Sequence, residues 1–312
     1  MGYCPFDVET DPAPFGLVTR RVDTRYGSLA VRASRGRESD TATLYIHGVG
    51  ADWTTWTPVL RAEQRRRMAV HDQLLVNLPG FGDSPNELGR IDIADIGAAF
   101  LSVVSELGYS KVRIVGHSMG GFLTLDMASR YPERIESIHL VAGSYFSILR
   151  SIQHPIRSFG SSPMVAGTFG LQYLLAHTGS FEVAAVRALY RLGVFRYLLS
   201  PFASHPRLLK ESVVRALCEQ INPRGLLLTA ANGHGYDAYA QWAKVRCPIW
   251  AVFGAKDRVV PRPDMDELSR CQPTADSSVI ADAGHLMHIE RPAEVVHALR
   301  LWTTWPPTTD PS

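Results

Sequence analysis

The sequence predicts an α/β fold, with a mostly parallel sheet of about eight strands, helices on both faces and an inserted helical cap. Three observations predict it. Short apolar, β-branched segments alternate with segments of helical periodicity along most of the chain. The alternation stops between residues 144 and 235 and then resumes. A Gly-x-Ser-x-Gly turn, from Gly116 to Gly120, lies between a predicted strand and a predicted helix.

The N-terminal half contains most of the predicted strands. Two strands at 17–23 and 28–33 form a predicted hairpin, because a short turn at Arg25-Tyr26-Gly27 separates them. The following predicted strands are 43–46, 73–78, 111–115 and 135–141. The predicted helices between them are 56–66, 91–107 and 121–128. These elements supply the centre of the sheet and the first helices that cover it.

Residues 144–235 carry aromatic, leucine and arginine residues at helical spacing, without short apolar strands. They predict a cap over the carboxyl ends of the strands, where open α/β sheets build their sites. The core domain is then 1–143 with 236–304, and 305–312 form a disordered tail. The predicted elements after the cap are helix 236–245, strand 248–253, helix 264–271, strand 277–281 and helix 292–302.

Composition narrows the class of protein. The 312 residues are 46% hydrophobic and 20% charged, with a formal net charge of +2, as in a globular protein with a sizeable core. We expect no integral membrane segment, because no apolar run reaches about 18 residues, and no signal peptide, because the first residues have neither a basic nor an apolar region. Four scattered cysteines favour a reducing cytoplasm over a disulfide framework. Nothing resembles a nucleic-acid module, and no oligomeric state is predicted.

Ser118, at the centre of the turn, is the predicted nucleophile. A serine hydroxyl needs a base within hydrogen-bond reach, and the base needs a carboxylate that orients it. His285 follows the last predicted strand and Asp257 follows the preceding one, so both lie at carboxyl ends of strands. Three alternatives remain: Ser118 as a turn serine, His285 as a loop histidine bonded to backbone, and Asp257 as a turn-initiating residue. Asp282 is the rival acid, although its closeness in sequence to His285 hinders its reach to the ring.

Two backbone N–H groups are predicted to form the oxyanion hole. Met119 follows the nucleophile at the start of a predicted helix, and Val49 lies in the turn His47-Gly48-Val49-Gly50 after a predicted strand. The glycines of that turn allow it to fold back toward Ser118. The alternative is an ordinary strand-to-helix turn without a catalytic role.

Further residues are predicted to line the substrate pocket or to support the site by packing. The candidate substrate-pocket residues are Gly48, Trp53, Phe81, Phe122 and Leu286, and the aromatic members can equally be core residues. We expect His117 to pack against the turn, and Asp83 and Ser84 to hold their own loop together. His288 follows His285 by three positions, but no third ligand is in sight, so no metal and no cofactor are predicted.

Five motifs together resemble the α/β-hydrolase superfamily, over residues 17 to 302. They are His47-Gly48-Val49-Gly50, Pro79-Gly80-Phe81-Gly82-Asp83-Ser84, Gly116-His117-Ser118-Met119-Gly120-Gly121, Gly254-Ala255-Lys256-Asp257 and Ala283-Gly284-His285. The resemblance implies an α/β-hydrolase fold, a Ser118–His285–Asp257 triad, an acyl-enzyme intermediate and no cofactor. The chain looks most similar to capped esterases, lactonases and carbon–carbon-bond hydrolases. Asn77 is a departure, since members often carry aspartate there.

The expected function is hydrolysis of a carboxylic ester, lactone or thioester of a small to medium, apolar acyl compound. One alternative is acyl transfer, lactonisation or carbon–carbon hydrolysis on the same triad, and another is a non-catalytic ligand-binding protein of this fold. Residues 144–235 hold nine basic and three acidic side chains, a formal charge of +6 that leaves −4 elsewhere. The excess hints at an acyl carrier or an anionic surface as partner, or simply at a solvated arginine-rich face.

Overall fold

The structure is a computed structural model that describes residues 2–66, 71–143, 146–154, 180–222, 225, 227–228 and 231–299. In this part of the chain, eight strands form one sheet in the order β1-β2-β4-β3-β5-β6-β7-β8. The strands are β1 (Leu17–Thr24), β2 (Gly27–Ser34), β3 (Thr41–Ile46), β4 (Gln73–Val76), β5 (Lys111–His117), β6 (Ile135–Val141), β7 (Ile249–Gly254) and β8 (Asp276–Ile280).

Strand β5 lies near the middle of the sheet. The pairs β1–β2 and β2–β4 are antiparallel, and every later pair is parallel. In register, Gly116 of β5 is level with Ile46 of β3 and with Leu140 of β6. Because parallel strands end at the same edge of a sheet, the loops after β3, β5, β7 and β8 all begin there.

The described helices cover both faces of the sheet or lie between β6 and β7. They are α1 (Thr57–Arg65), α2 (Ile93–Glu106), α3 (Met119–Arg130), α4 (Phe146–Gln153), α5 (Ser180–Arg191), α6 (Phe195–Leu198), α7 (Glu211–Glu219), α8 (Ala238–Trp242), α9 (Pro263–Cys271), α10 (Met287–Glu290) and α11 (Pro292–Leu299). Short 3-10 helices at Trp53–Trp56 and Pro206–Leu208 precede α1 and α7. None of these helices has the length and apolar character that crossing a membrane requires.

The predicted fold class is confirmed, and differences occur at element ends. Helix α8 was expected over 236–245 but begins at Ala238, because the Asp237 side chain accepts a hydrogen bond from the Ala240 N–H and caps the helix. Strand β4 ends at Val76, since the backbone N–H of Leu78 donates to the His47 ring instead of a neighbouring strand. The predicted tail, 305–312, lies outside the described residues.

Alternating side chains along the central strands divide the core into two layers. Leu44 and Ile114 point to one face and pack with α2 and α3, whereas Tyr45 and Val115 point to the other and pack with α1 and α11. All four are fully buried. Each such side chain contributes roughly 1.5–3 kcal/mol by leaving water, so the two layers fix the register of the sheet.

Helices α5 to α7 form a third apolar cluster with the N-terminal segment and α10. Its buried members include Cys4, Phe195, Val213 and Ile289. The start and end of the insertion meet, because Gln153 donates to the carbonyl of Gly233 at 2.9 Å. The division of the chain into a core domain and a cap at 144–235 stays a prediction.

Candidate active site

Ser118 lies at a sharp turn between the end of β5 and the start of α3. Its backbone has φ 52° and ψ −119°, a region that residues other than glycine rarely adopt because it costs about 1–3 kcal/mol. Its N–H donates to Val141 of β6 at 3.0 Å, and its carbonyl accepts from Gly121 at 2.8 Å. The neighbouring strand and helix therefore hold the strained turn in place.

The glycines beside Ser118 allow the helix and strands to approach each other closely. A Cβ on Gly120 would lie 2.2 Å from the carbonyl oxygen of Ile46, and one on Gly116 would lie 2.4 Å from the carbonyl oxygen of Gly120. Real Cβ atoms do not come that near to backbone oxygens. The Gly-x-Ser-x-Gly pattern is thus a packing requirement of this turn.

His285 joins the serine to a carboxylate. Its Nε2 lies 2.9 Å from the Ser118 hydroxyl, and its Nδ1 lies 3.0 Å from Oδ2 of Asp257. The side chains of His285 and Asp257 are both buried. When Nδ1–H donates to the carboxylate, Nε2 is left to accept the Ser118 O–H. The structure brings together the three residues that the sequence singled out, although His285 follows Ser118 by 167 positions.

The two carboxylate oxygens of Asp257 have different partners. Oδ1 accepts the backbone N–H groups of Val259 and Val260 at 2.8 and 2.9 Å, whereas Oδ2 faces His285. The local turn and the contact with the imidazole are therefore not alternatives. The turn bonds fix the carboxylate so that its second oxygen points at the ring.

Asp282, the rival acid, takes part in an ionic cluster on the outer side of the loop. Lys256 contacts its carboxylate at 2.6 Å and His205 at 2.8 Å, and Arg291 is its third basic partner. The hydrogen bond from Lys256 is the main cause that holds the pKa of Asp282 below its ordinary value. The Asp282 carboxylate is thus paired with these basic side chains and does not contact His285, in agreement with the expectation that Asp257 is the better candidate for the acid.

The two predicted oxyanion donors lie on segments adjacent to Ser118. Met119 is the first residue of α3, where backbone N–H groups have no carbonyl partner within the helix. Val49 follows Gly48, and a Cβ on Gly48 would lie only 2.9 Å from the Cβ of Ser118. The turn after β3 thus passes directly over Ser118. That the Val49 and Met119 amides bind an oxyanion stays a prediction.

His47 is a supporting residue that received no role from the sequence. Its Nδ1 donates to the Gly48 carbonyl at 2.7 Å, and its Nε2 accepts the backbone N–H of Leu78 at 3.0 Å. Burial lowers the pKa of His47, so the ring stays neutral and can donate from one nitrogen while it accepts at the other. The ring joins the turn after β3 to the loop after β4.

Asn77, the departure from the family pattern, connects three segments. Its Oδ1 accepts the Trp53 backbone N–H at 2.8 Å, and its Nδ2 donates to Asp83 at 2.8 Å. Asp83 also pairs with Arg32 at 2.7 Å, while Ser84 accepts a backbone N–H of β2. An aspartate at 77 would face the Asp83 carboxylate without a proton to donate. The Asn77 amide therefore suits this loop. Contacts of Asp83 and Ser84 hold the loop to β2 and to the residue that follows β4.

A buried group of aromatic side chains lies behind His285. His117 donates from Nε2 to the His285 carbonyl at 2.9 Å, and its ring lies 4.0 Å from that of His288, centroid to centroid. Burial lowers the pKa of His117 well below its ordinary value and that of His288 to about 3. Both rings are thus neutral, and His117 packs as expected. Among the described residues, no group of three or more His, Cys, Asp or Glu could hold a metal.

Glu290 is a second supporting residue without an assigned sequence role. Its fully buried carboxylate accepts the Gly284 N–H at 3.0 Å and the Ser204 N–H at 3.0 Å. The Ser204 hydroxyl donates to the same oxygen at 2.5 Å. Glu290 therefore fixes the residue just before His285. A carboxylate among the apolar neighbours of α10 is the sequence signal that identifies it.

The predicted pocket residues are buried in different places. Phe81 meets the His47 ring at 5.9 Å between centroids, whereas Trp53 packs in the layer of α1 and α11. Phe122 packs in the opposite layer, and Leu286 belongs to the cluster of α5 to α7. Gly48 is the member that lies against Ser118. That these residues line a substrate pocket stays a prediction.

Comparison with known proteins identifies the family. A profile described as "Alpha/beta hydrolase family" matches residues 44–298. The acetyltransferase component of the acetoin cleaving system from Pseudomonas putida is 26% identical over 83% of this chain, which spans 62% of that protein's length. A pimeloyl-[acyl-carrier protein] methyl ester esterase from Aeromonas salmonicida is 27% identical, covering 82% of this chain and 92% of that protein.

Solved structures share the fold. The enol-lactonase from Burkholderia xenovorans superposes with a TM-score of 0.69 at 17% identity, over 90% of this chain and 99% of the lactonase. At that identity the likeness concerns the fold. Since the family profile covers most of the chain, from β3 to the last described helix, this protein belongs to the alpha/beta hydrolase family.

Proposed function

We propose that this protein is a serine hydrolase that cleaves the carboxylic ester of a small to medium, apolar acyl compound. The contacts of His285 carry the proposal, because its two ring nitrogens lie 2.9 Å from the Ser118 hydroxyl and 3.0 Å from the Asp257 carboxylate. This is the arrangement in which an imidazole activates a hydroxyl while a carboxylate fixes its tautomer.

In the first half of the proposed reaction, Ser118 Oγ attacks the ester carbonyl carbon while its proton moves to His285 Nε2. The resulting imidazolium is stabilised by Asp257, whose carboxylate stays ionised. The tetrahedral oxyanion is bound by the backbone N–H groups of Val49 and Met119, each worth about 3–4 kcal/mol of barrier height. His285 then returns the proton to the leaving alkoxide, which departs as the alcohol.

In the second half, water replaces the alcohol. His285 takes a proton from that water, the hydroxide adds to the acyl carbon, and the same two amides bind the second oxyanion. Collapse breaks the bond to Ser118 Oγ, which takes the proton back from His285, and the carboxylic acid leaves. Every proton transfer thus passes through one imidazole nitrogen.

The relatives support acyl–oxygen cleavage as the reaction type. A methyl ester esterase and an enol-lactonase are among them, and both names describe attack on a carboxylic ester. Lactones and thioesters share this chemistry and complete the proposed substrate class. The helices at 144–235 are proposed as the cap that limits acyl size. A panel of esters, lactones and thioesters of increasing chain length identifies the preferred member.

The Ser118→Ala variant tests the proposed function. It should lose turnover of p-nitrophenyl esters by at least about 10⁴-fold, since the nucleophile is removed. Its circular dichroism and melting temperature should match the wild type. Ser269→Ala, on the exposed side of α9, is the matched control and should retain full activity.

Covalent labelling separates the enzyme from a non-catalytic binder. A fluorophosphonate probe should label the wild type and not Ser118→Ala. A wild type that resists labelling, or a Ser118→Ala variant with unchanged turnover, contradicts the proposal. Product analysis with an added alcohol then measures how the acyl-enzyme divides between water and another acceptor, which distinguishes hydrolysis from acyl transfer.

A further inference from the structure

The exposed apolar side chains of this protein are concentrated in one place. Eight large hydrophobic side chains are exposed among the described residues, and five of them occur between positions 192 and 208. They are Leu192, Val194, Tyr197, Leu198 and Leu208, with Leu192 75% exposed and Leu208 60% exposed. We call these five residues, together with Arg187, Arg191, Arg207 and Arg215, the apolar–basic surface.

Local structure explains why these side chains are exposed. Helix α5 ends in a tight turn at Gly193, which has φ 71°, and the residues on each side of it project from the turn. Helix α6 buries Phe195 in the cluster beneath and leaves Tyr197 and Leu198 outside. The short helix with Leu208 packs against α6, because the Arg196 side chain donates to the carbonyls of residues 207 and 209.

An aromatic–cation contact joins the apolar and the basic components. The Arg207 guanidinium lies 5.5 Å from the centroid of the Tyr197 ring. Both side chains are exposed, so the pair presents a flat ring and a positive charge at the same point of the surface.

The four arginines of this surface outnumber the two carboxylates near them, Glu211 and Glu219 of α7. Glu211 pairs with Arg196, and Lys210 pairs with Asp7 of the N-terminal segment. No carboxylate of the described residues forms an ion pair with the four arginines of the apolar–basic surface. The rest of the chain carries a formal charge of −4, so the excess of basic residues is confined to the insertion that bears this surface.

We infer that the apolar–basic surface docks the protein on an anionic lipid bilayer. Exposed leucine and tyrosine side chains enter the boundary between headgroups and acyl chains, and arginines beside them pair with lipid phosphates. A symmetric second copy fits this face poorly, because a two-fold contact sets the same arginines against each other.

Vesicle flotation tests the inference without any measurement of catalysis. The full chain is mixed with phosphatidylcholine vesicles, or with vesicles that contain about 30 mol% phosphatidylglycerol. We expect binding to the anionic vesicles to be at least about tenfold tighter at roughly 0.1 M NaCl, and to weaken strongly near 0.5 M as the charges are screened. Because Ser118→Ala keeps the surface, it should float like the wild type.

Two matched pairs of variants locate the surface. Tyr197→Ala and Tyr239→Ala remove tyrosines that are 51% and 50% exposed, but only the first lies on the apolar–basic surface. Arg207→Glu and Arg246→Glu reverse the charge of exposed arginines, of which only Arg207 belongs to the apolar–basic surface. We expect the first member of each pair to bind anionic vesicles about five- to tenfold more weakly, and the second to bind like the wild type.

Several outcomes overturn the inference. If the wild type binds neither kind of vesicle, or binds both equally, it has no surface that recognises anionic lipid. Equal losses within a pair show that binding is not located here. Size-exclusion chromatography that detects a dimer lost in Tyr197→Ala identifies a contact between copies. Binding of an acidic acyl carrier that depends on Arg207, without vesicle binding, assigns the face to a protein partner.

Discussion

The carboxylate of Glu290 accepts a hydrogen bond from the backbone N–H of Ser204, which lies 86 residues earlier in the chain. The same carboxylate accepts the N–H of Gly284, directly before His285. One buried side chain therefore fixes the loop of the proposed base and holds a segment of the inserted helices against it. The position of the imidazole and the packing of the insertion are mechanically connected.

Glu290→Gln should lower kcat about 10- to 100-fold, because a neutral amide oxygen is a weaker acceptor than a carboxylate and its N–H₂ group faces the Gly284 N–H at the other oxygen position. The change should exceed any change in KM, since Glu290 acts through the loop and not on substrate. Ester kinetics and thermal melts measure both effects. Glu294→Gln, exposed on α11, is the control with unchanged kcat. Normal kcat in Glu290→Gln shows that the bond does not position His285.

Asp257→Asn should lower kcat by about 10³- to 10⁴-fold, because the amide no longer fixes the Nδ1–H tautomer of His285. Fluorophosphonate labelling should slow in parallel. Asp282→Asn is the matched control, since that carboxylate contacts Lys256 and His205 on the outer side of the loop. A larger loss in Asp282→Asn than in Asp257→Asn identifies Asp282 as the acid and refutes the assignment.

Gly48→Ala tests the turn that carries Val49. The new Cβ would lie 2.9 Å from the Ser118 Cβ and 3.1 Å from His117 Nδ1, so the turn must move away from the nucleophile. We expect kcat to fall about 100-fold or more, because the Val49 N–H, one of the two proposed oxyanion donors, is displaced. Gly36→Ala, which has open space around it, should leave kcat unchanged. Equal activity of both variants argues against an oxyanion role for this turn.

Glu63 should make stability depend on pH. Burial raises its pKa from 4.5 to about 8, against hydrogen bonds from Tyr45 and Gln73 that lower it. Between these values the unfolded chain releases the proton while the folded chain keeps it, so stability falls as pH rises, by at most about 1.4 kcal/mol per unit.

Urea titrations of Glu63→Gln measure this contribution. From about pH 5 to pH 8, the variant should lose less free energy of unfolding than the wild type, because glutamine has no proton to release. Glu106→Gln, exposed at the end of α2, controls for the change of net charge. Parallel pH profiles for wild type and Glu63→Gln would show that the carboxyl group is not protonated in the folded state.

The sequence predicted the elements whose signal is local. The apolar strands β3, β5 and β6 sit between turn signals, and the turn at Ser118 needs glycines at fixed offsets. The approach of His285 to Ser118 followed from chain order and strand ends rather than from local pattern. The predictions were weakest at helix ends, where one side chain decides, as Asp237 does for α8.

The supporting contacts could not be read from local pattern because each joins distant segments. His47 pairs with Leu78 across 31 positions, and Glu290 reaches back to Ser204. The aromatic residues illustrate a second limit. Phe81 and Phe122 are both buried, and hydrophobicity alone does not separate a core ring from one beside a substrate.

The hydrogen bond between Gln153 and Gly233 closes a long excursion of the chain onto itself. Because the insertion begins and ends at neighbouring points, recombination can replace it as one unit. The segments on either side, which carry Ser118, Asp257 and His285, then stay unchanged. New substrate ranges can therefore evolve by exchange of this insertion. A laboratory chimaera that joins Gln153 and Gly233 through a foreign insert should keep a reactive Ser118.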